Sequence, residues 1–246
     1  YAHQFPYYQR IGFAGFALLK YLALFLLPLQ LSVIYPFPEP QALILLSGYS
    51  CWALIIFVCY RLIKKQKTAT VMALLFILAN LILVLQFIPF GEVLYADRYM
   101  YLPLLGFAWL LGVLTEKLKL STQVFTLVIA ILLGILTFQR SGLWRNAITL
   151  YEDIIKKYPE QFIALNSAGV EMMRMNEDEK ALSYFNRATS AAPKNYKGFY
   201  NKGLLQLKNN QPQQALESFN QSLALYDYHK AYAARASAFQ NKRGHQ

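Results

Sequence analysis

The sequence predicts an all-α chain in two unlike parts: a transmembrane helix bundle of about five spans over residues 1–141, then an α-solenoid over 142–246. Three observations carry this. The 246 residues are 56% hydrophobic and only 15% charged, with mean hydropathy +0.28, whereas about a quarter of the residues in a soluble domain are charged. Apolar stretches approaching 20 residues, the length that crosses a hydrocarbon core of about 30 Å, crowd the chain up to residue 139. From Gly142 onward the composition turns soluble and the sequence matches itself at an offset of 34 residues. Together they exclude a disordered, collagenous or disulfide-rich secreted chain.

The expected spans are 11–31, 42–62, 71–88, 102–115 and 122–139. Lys20 stands near the middle of the first, where a lysine costs about 2.5–3.5 kcal/mol on insertion scales. Two arrangements follow: a full span carrying Lys20, or residues 11–19 along the interface with the span starting near Tyr21. Pro28 inside this run is expected to kink the helix, which neighbouring helices tolerate. The short fourth stretch can borrow length from Met100 and Tyr101 on one side and Leu118 and Leu120 on the other.

Orientation follows the short-loop lysines and arginines. Arg61, Lys64, Lys65 and Lys67 follow the second span and Lys117 and Lys119 the fourth, while 32–41 has no basic residue and 89–101 has one. The basic loops are therefore expected in the cytoplasm. Loops 32–41 and 89–101 and everything after residue 140 fall on the outer side, periplasmic in a bacterium or lumenal in a eukaryote. The first ten residues fall inside where the first segment is a full span, but not where it lies along the interface. The chain is thus expected to be an integral membrane protein, and the lipid bilayer its first partner.

In the second part, Ala147, Ala181 and Ala215 are equally spaced, as are Tyr151, Phe185 and Phe219; Ile154, Ala188 and Ser222; and Pro159, Pro193 and Asp227. Gly169 and Gly203 add a further phase. The pattern matches the tetratricopeptide repeat: a small residue where two antiparallel helices approach, an aromatic filling the gap, and a proline ending the second helix. The units read as a half-unit at 142–160, full units at about 162–195 and 196–228, and a first helix at 229–241, or about 2.5 to 3 repeats. The end of the fifth span is a candidate partner for the half-unit. With Tyr1 at the start and no polar capping helix at the end, both ends are expected to be cut from a longer chain.

Chemistry-bearing residues are few. Cys51 and Cys59 lie in one apolar run and read as buried small hydrophobes. His3, His229 and His245 lack metal-ligand spacing, no glycine-rich phosphate loop precedes a helix, and neither a metal nor a cofactor is evident. The net charge of +11 does not signal nucleic acid, because the basic residues flank spans or interleave with Glu152, Asp153, Glu171, Glu177, Asp178 and Glu179. Catalytic residues stay unassigned. Glu39 and Glu92 read as solvated loop charges.

The segment Ala96-Asp97-Arg98-Tyr99-Met100-Tyr101-Leu102-Pro103 stands out. A guanidinium at the lip of an apolar helix can grip a phosphate through two parallel hydrogen bonds, and flanking tyrosines can stack on a sugar or sit among headgroups. Arg98, Asp97, Tyr99 and Tyr101 are therefore candidates for a lipid phosphate. The plainer alternative is an Asp97–Arg98 pair capping its helix amid ordinary interfacial tyrosines. For the solenoid the expected use is peptide binding on the first helices, with Asn166, Glu171, Tyr200, Asn201 and Lys202 as candidates.

The order Tyr35-Pro36-Phe37-Pro38, basic loop, span, the Arg98 motif, two spans, a Trp144-Arg145 junction, then repeats resembles the carboxy-terminal part of bacterial membrane proteins with tetratricopeptide repeats. These are related to the eukaryotic transmembrane and tetratricopeptide-repeat O-mannosyltransferase family. The resemblance implies a glycosyltransferase of the polytopic type, moving a sugar from a polyprenyl-phosphate donor to a protein hydroxyl, with Arg98 near the lipid phosphate and the repeats presenting the acceptor. It also implies that the catalytic acids lie upstream of Tyr1. The alternative is a non-catalytic membrane-anchored adaptor that holds a protein through its repeats.

Overall fold

The computed structural model describes residues 5–28, 31–82, 84–85, 93–115 and 120–244. His3, Glu92, Lys117, Leu118, Lys119 and His245, named above, lie outside them. The described chain is all-α, its single β-contact an isolated bridge between Tyr35 and Tyr95. It forms two compact units, Tyr1–Gln139 and Arg140–Gln246.

The first unit contains α1 (Tyr7–Leu26), α2 (Ala42–Lys64), α3 (Thr68–Ile82), a 3₁₀ turn (Asp97–Met100) running into α4 (Tyr101–Thr115), and α5 (Leu120–Ser141). The stretch Tyr7–Leu26, α2 and Gln123–Arg145 are long and apolar enough to cross a membrane. At 15 residues each, α3 and α4 span only about 22 Å. Leu43, Leu46, Leu54, Ile56, Phe57 and Ile63 point outward from α2, and the most apolar stretch of Gln123–Arg145 buries no residue.

Pro28 does not kink a longer helix as the sequence suggested, because α1 stops before it. The residue preceding a proline is pushed out of the α region, and Leu27, at φ −137° and ψ 83°, is where the helix ends. Residues 31–41 then run without helix to the start of α2.

Backbone meets backbone where α1 crosses α2. A methyl group on Gly15 would fall on the carbonyl of Gly48, and one on Gly48 would fall on the carbonyl of Gly12. Only glycine permits this approach, the kind of small-residue contact by which helices associate in lipid. The Tyr49 hydroxyl donates to the Tyr8 carbonyl at 2.6 Å and Trp52 Nε1 to the Ile11 carbonyl at 3.0 Å. These pairs ascend together in both helices, so α1 and α2 run parallel. Counting crossings from the basic loops requires them antiparallel, because it takes 32–41 for a short outer loop between two spans. The connection instead returns along α1: Tyr35 lies level with Tyr21 through Tyr95, and Phe37 packs on Phe13 at 5.8 Å between centroids.

The second unit begins with a 3₁₀ turn (Gly142–Arg145), followed by α6 (Ala147–Lys157), α7 (Phe162–Arg174), α8 (Asp178–Ala191), α9 (Tyr196–Lys208), α10 (Pro212–Leu225) and α11 (His229–Gly244). Each helix packs on the next, and α9 also touches α7 and α11. Hence α7, α9 and α11 form one layer of a helical-repeat array. The repeat phases have physical counterparts. Phe185 and Phe219 are fully buried, each with its ring edge where a methyl group on Gly169 or Gly203 would sit, 2.6 Å from the nearest ring carbon. Ala181 and Ala215 are buried at the helix contacts, and Ile154, Ala188 and Ser222 are buried in all three units. Ala147 is exposed and Tyr151 half-buried, because α6 packs mainly on the 3₁₀ turn and α7. Arg140, past the end of the fifth expected span, reaches Asp153 of α6 at 3.5 Å.

Equivalent turns close the two full hairpins. Asn176 (φ 62°) and Asn210 (φ 56°) take the left-handed conformation one repeat apart. The N–H of the following residue reaches back to the Met172 carbonyl at 2.9 Å and the Gln206 carbonyl at 2.8 Å, closing the carbonyl-capping motif of a helix end.

Candidate functional site

The Arg98 motif sits where two extended segments meet. Ala96 is extended, Asp97–Met100 forms the 3₁₀ turn, and α4 starts at Tyr101. Leu94 N–H donates to the Tyr35 carbonyl at 3.1 Å, and the Tyr35 and Tyr95 rings stack at 4.2 Å. Tyr21 of α1 reaches the same place: its hydroxyl accepts from Ala96 N–H at 3.2 Å and donates to the Ala96 carbonyl at 3.4 Å, while its ring meets Tyr95 edge-on.

A short relay passes through Tyr35. Buried Ser32 donates its N–H to the Tyr35 hydroxyl at 2.7 Å, and that hydroxyl donates to Asp97 Oδ1 at 2.8 Å. One side of the half-buried Asp97 carboxylate is thereby fixed from the loop at 32–35. Arg98 is exposed. Its guanidinium lies 4.9 Å from the Tyr99 ring centroid and donates to the Tyr99 hydroxyl at 3.2 Å. Tyr101 is 71% exposed on the first turn of α4. Of the four residues named from the sequence, Asp97, Arg98 and Tyr99 therefore form one locality, and Tyr101 makes none of these contacts. Sequence reasoning missed Tyr21 and Tyr35. Their signal was spacing-free, a lone tyrosine in an apolar run and another beside prolines, so only the fold shows that both serve the motif.

Below Tyr21, α1, α2, α3 and α4 enclose an apolar groove of about 210 Å³ lined by residues such as Leu19, Leu54, Ile55, Leu78 and Phe107. Its lining is almost wholly apolar, so it offers space and no chemistry. Glu39 is exposed in 31–41, and no group of three or more His, Cys, Asp or Glu able to hold a metal occurs among the described residues.

In the repeat unit, most of the candidates from the sequence are engaged with neighbouring side chains. Asn201 Nδ2 donates to Asn166 Oδ1 at 2.9 Å, tying α9 to α7. Glu171 accepts two hydrogen bonds from Arg174, at 2.6 and 3.2 Å. Tyr200 packs with its centroid 6.0 Å from Phe219 and 5.1 Å from Tyr228, and burial lifts its phenol above the usual range. Lys202 is half-buried on α9. The structure thus assigns Asn166, Asn201 and Tyr200 to the fit between helices. Sequence reasoning also missed Lys208, whose Nζ donates to the Met173 carbonyl at 3.3 Å, Asn176 Oδ1 at 2.9 Å and Asp178 Oδ1 at 2.7 Å. This lysine staples one hairpin turn to the next repeat.

Comparison with known proteins finds likenesses to helical-repeat proteins. The model described as the TT21 fifth ARM repeats domain matches residues 129–235. Among solved structures, the chain is similar to the TPR2B domain of yeast Sti1 in its complex with pHsp70, at 20% identity and TM-score 0.38, covering 45% of this chain and 94% of that one. It is also similar to the MamA protein, at 16% identity and TM-score 0.38, covering 57% and 72%. A MamA RS-1 double mutant matches at 17% identity and TM-score 0.31, covering 61% and 90%. No curated protein sequence matches the chain. The family match and the chain's own 34-residue geometry make the second unit a helical-repeat domain.

Proposed function

We propose that this chain is a membrane-anchored repeat protein that holds a protein or peptide partner on the layer formed by α7, α9 and α11. The observation that carries this reading is the stacking of first helices into one continuous layer, the surface on which solenoids present binding residues. Exposed Val170 on α7 and Lys197 on α9 belong to this layer. The anchor reading is supported by the length and apolarity of α1, α2 and α5 and by the leucines, isoleucines and phenylalanine that α2 turns outward; on a soluble monomer so large an apolar surface would be a liability. The basic residues after α2 suit a bacterial inner membrane with the repeats on the periplasmic side.

A photo-activated cross-linker at Val170 or at Glu217, the latter exposed on α10, tests the partner. In native membranes the full chain should give a discrete adduct from Val170 and none from Glu217. Equal adducts from both sites, or none from Val170, would refute the reading.

One observation favours a second reading. Arg98 is exposed beside an Asp97 held by Tyr35, which suits the grip on a lipid phosphate that the family resemblance implies. On that reading the donor is a polyprenyl-phosphate sugar, and Arg98→Ala in the complete protein abolishes transfer while leaving membrane insertion intact. Unchanged transfer would eliminate the phosphate role.

A further inference from the structure

From the packing of α1 we infer that α1 and residues 31–41 form a re-entrant hairpin, which enters the bilayer from the face where α2 begins, turns at the far side of the hydrocarbon, and leaves by the face it entered. The inference rests on the reading of α2 as a membrane span. Four observations carry it.

First, α1 and α2 are parallel, as the pairs Tyr8 with Tyr49 and Ile11 with Trp52 require. If α2 crosses from its amino-terminal end, α1 points the same way and its own beginning lies on the same face. Two consecutive spans joined by a short loop are antiparallel, so α1 and α2 are not such a pair.

Second, the chain comes back. Residues 31–41, at about 3.3 Å per extended residue, can cover the roughly 30 Å length of the 20-residue α1. They do so in reverse order: Tyr35 lies at the level of Tyr21 and Phe37 at that of Phe13.

Third, the tip is apolar. Phe25 stacks on Phe107 of α4 at 4.2 Å, and Leu26 and Leu27 stand 62% and 67% exposed next to Pro28. A tip in water would be expected to carry polar or basic residues. Among its described residues this one presents Leu26 and Leu27.

Fourth, the innermost part of the irregular backbone is paired within the protein. Non-helical chain at membrane depth survives only where its N–H and C=O groups are paired and shielded. Ser32, Ile34, Tyr35, Leu94 and Ala96 are all buried. Their polar groups meet each other or tyrosine hydroxyls: Ser32 N–H to Tyr35, Ser32 hydroxyl to the Ile34 carbonyl, Leu94 N–H to the Tyr35 carbonyl and Ala96 N–H to Tyr21. The hairpin is also what delivers Tyr21 and Tyr35 to the Asp97–Arg98 turn. It is the seat of that turn.

Single cysteines in the full chain, with Cys51 and Cys59 replaced by alanine, test this in native membrane vesicles of both orientations, using a membrane-impermeant maleimide. Tyr7→Cys, with Tyr8→Cys as a second site should the first express poorly, is expected to label from the same side as Glu39→Cys and opposite to Lys65→Cys. Leu27→Cys is expected to stay unlabelled from either side until detergent is added. Labelling of Tyr7→Cys and Tyr8→Cys from the Lys65 side, or of Leu27→Cys from that side without detergent, overturns the hairpin. Labelling of Glu39→Cys and Lys65→Cys from one side removes α2 as a span, and with it the membrane reading beneath the inference.

Discussion

Single residues hold the repeat unit to its geometry at identifiable cost. Asn210 occupies the left-handed region at φ 56°, where a residue with a Cβ and no polar side chain pays about 1 kcal/mol or more. Asn210→Ala should therefore lower the unfolding free energy of residues 140–246 by about 1 kcal/mol, and Asn210→Gly should leave it nearly unchanged; urea titrations followed by helical circular dichroism measure both. An equal loss for the two variants would show that the asparagine side chain, and not the backbone angle, matters. Tyr200 makes a prediction in pH. Burial, with a smaller contribution from Tyr228, raises its folded-state value above the ordinary 10.0 of a phenol. The stability linked to it is complete below about pH 10 and falls as pH rises through the folded-state value. Urea midpoints at pH 8 and 11 should separate for wild type, and Tyr200→Phe should narrow the gap. An unchanged gap would place the effect on other tyrosines.

At the scale of elements, helix pairs are set by what their contact faces omit. The α1–α2 crossing depends on Gly12, Gly15 and Gly48, and α3 meets α4 at Gly106, where an added methyl would lie 2.5 Å from Ile77 Cγ1. Overpacking of this kind costs about 1–3 kcal/mol when neighbours can shift, and more where the obstacle is backbone. Gly48→Ala should lower the melting midpoint of the detergent-solubilised chain by several degrees and cut disulfide formation between cysteines placed at Tyr8 and Tyr49. Retained cross-linking would mean that the helices part elsewhere. These elements also mark what a sequence can disclose. The 34-residue phases identified α7 to α11 because a repeat is read against itself: Phe185 and Phe219 must do the same thing, and they do. The direction of α1 was not legible in this way. Charge counting assumes that every apolar stretch crosses; Pro28 marks where a helix can stop, but nothing in 11–31 marks a chain that then returns beside it. Tyr200 fails for a similar reason. An aromatic on a first helix reads as exposed until Phe219 and Tyr228 are seen against it. Arg98 and Asp97 were legible as a motif, but Tyr35, 62 residues upstream of Asp97, was not legible as its partner.

For the molecule as a whole, apolar surface is distributed in opposite senses in the two units. The first turns leucine, isoleucine and phenylalanine outward along α2 and α5, whereas the second buries Phe185, Phe219, Leu205 and Ile154 in an interior and exposes charge. The expected outcome is a division in handling. Residues 1–141 should remain with the membrane pellet after alkaline carbonate washing and require detergent, while 140–246 expressed alone should stay in solution with helical circular dichroism. Release of the first fragment by carbonate would identify its apolar faces as covered by protein. The repeats are also locally linked, since Lys208 joins neighbouring turns through three acceptors, so damage at one repeat passes chiefly to the next.

The glycine crossing carries a consequence in genetics. Every single-nucleotide change in a glycine codon either keeps glycine, stops translation, or installs a side chain, the smallest being the methyl of alanine. At Gly15 and Gly48 there is then no mild missense step, whereas the outward leucines of α2 have neighbours in codon space, such as valine, phenylalanine and methionine, that a hydrocarbon surrounding accepts. A saturation library of α1 and α2 scored for accumulated protein should therefore show two sharply depleted columns among long tolerant ones, a pattern that marks the crossing point without any structure in hand.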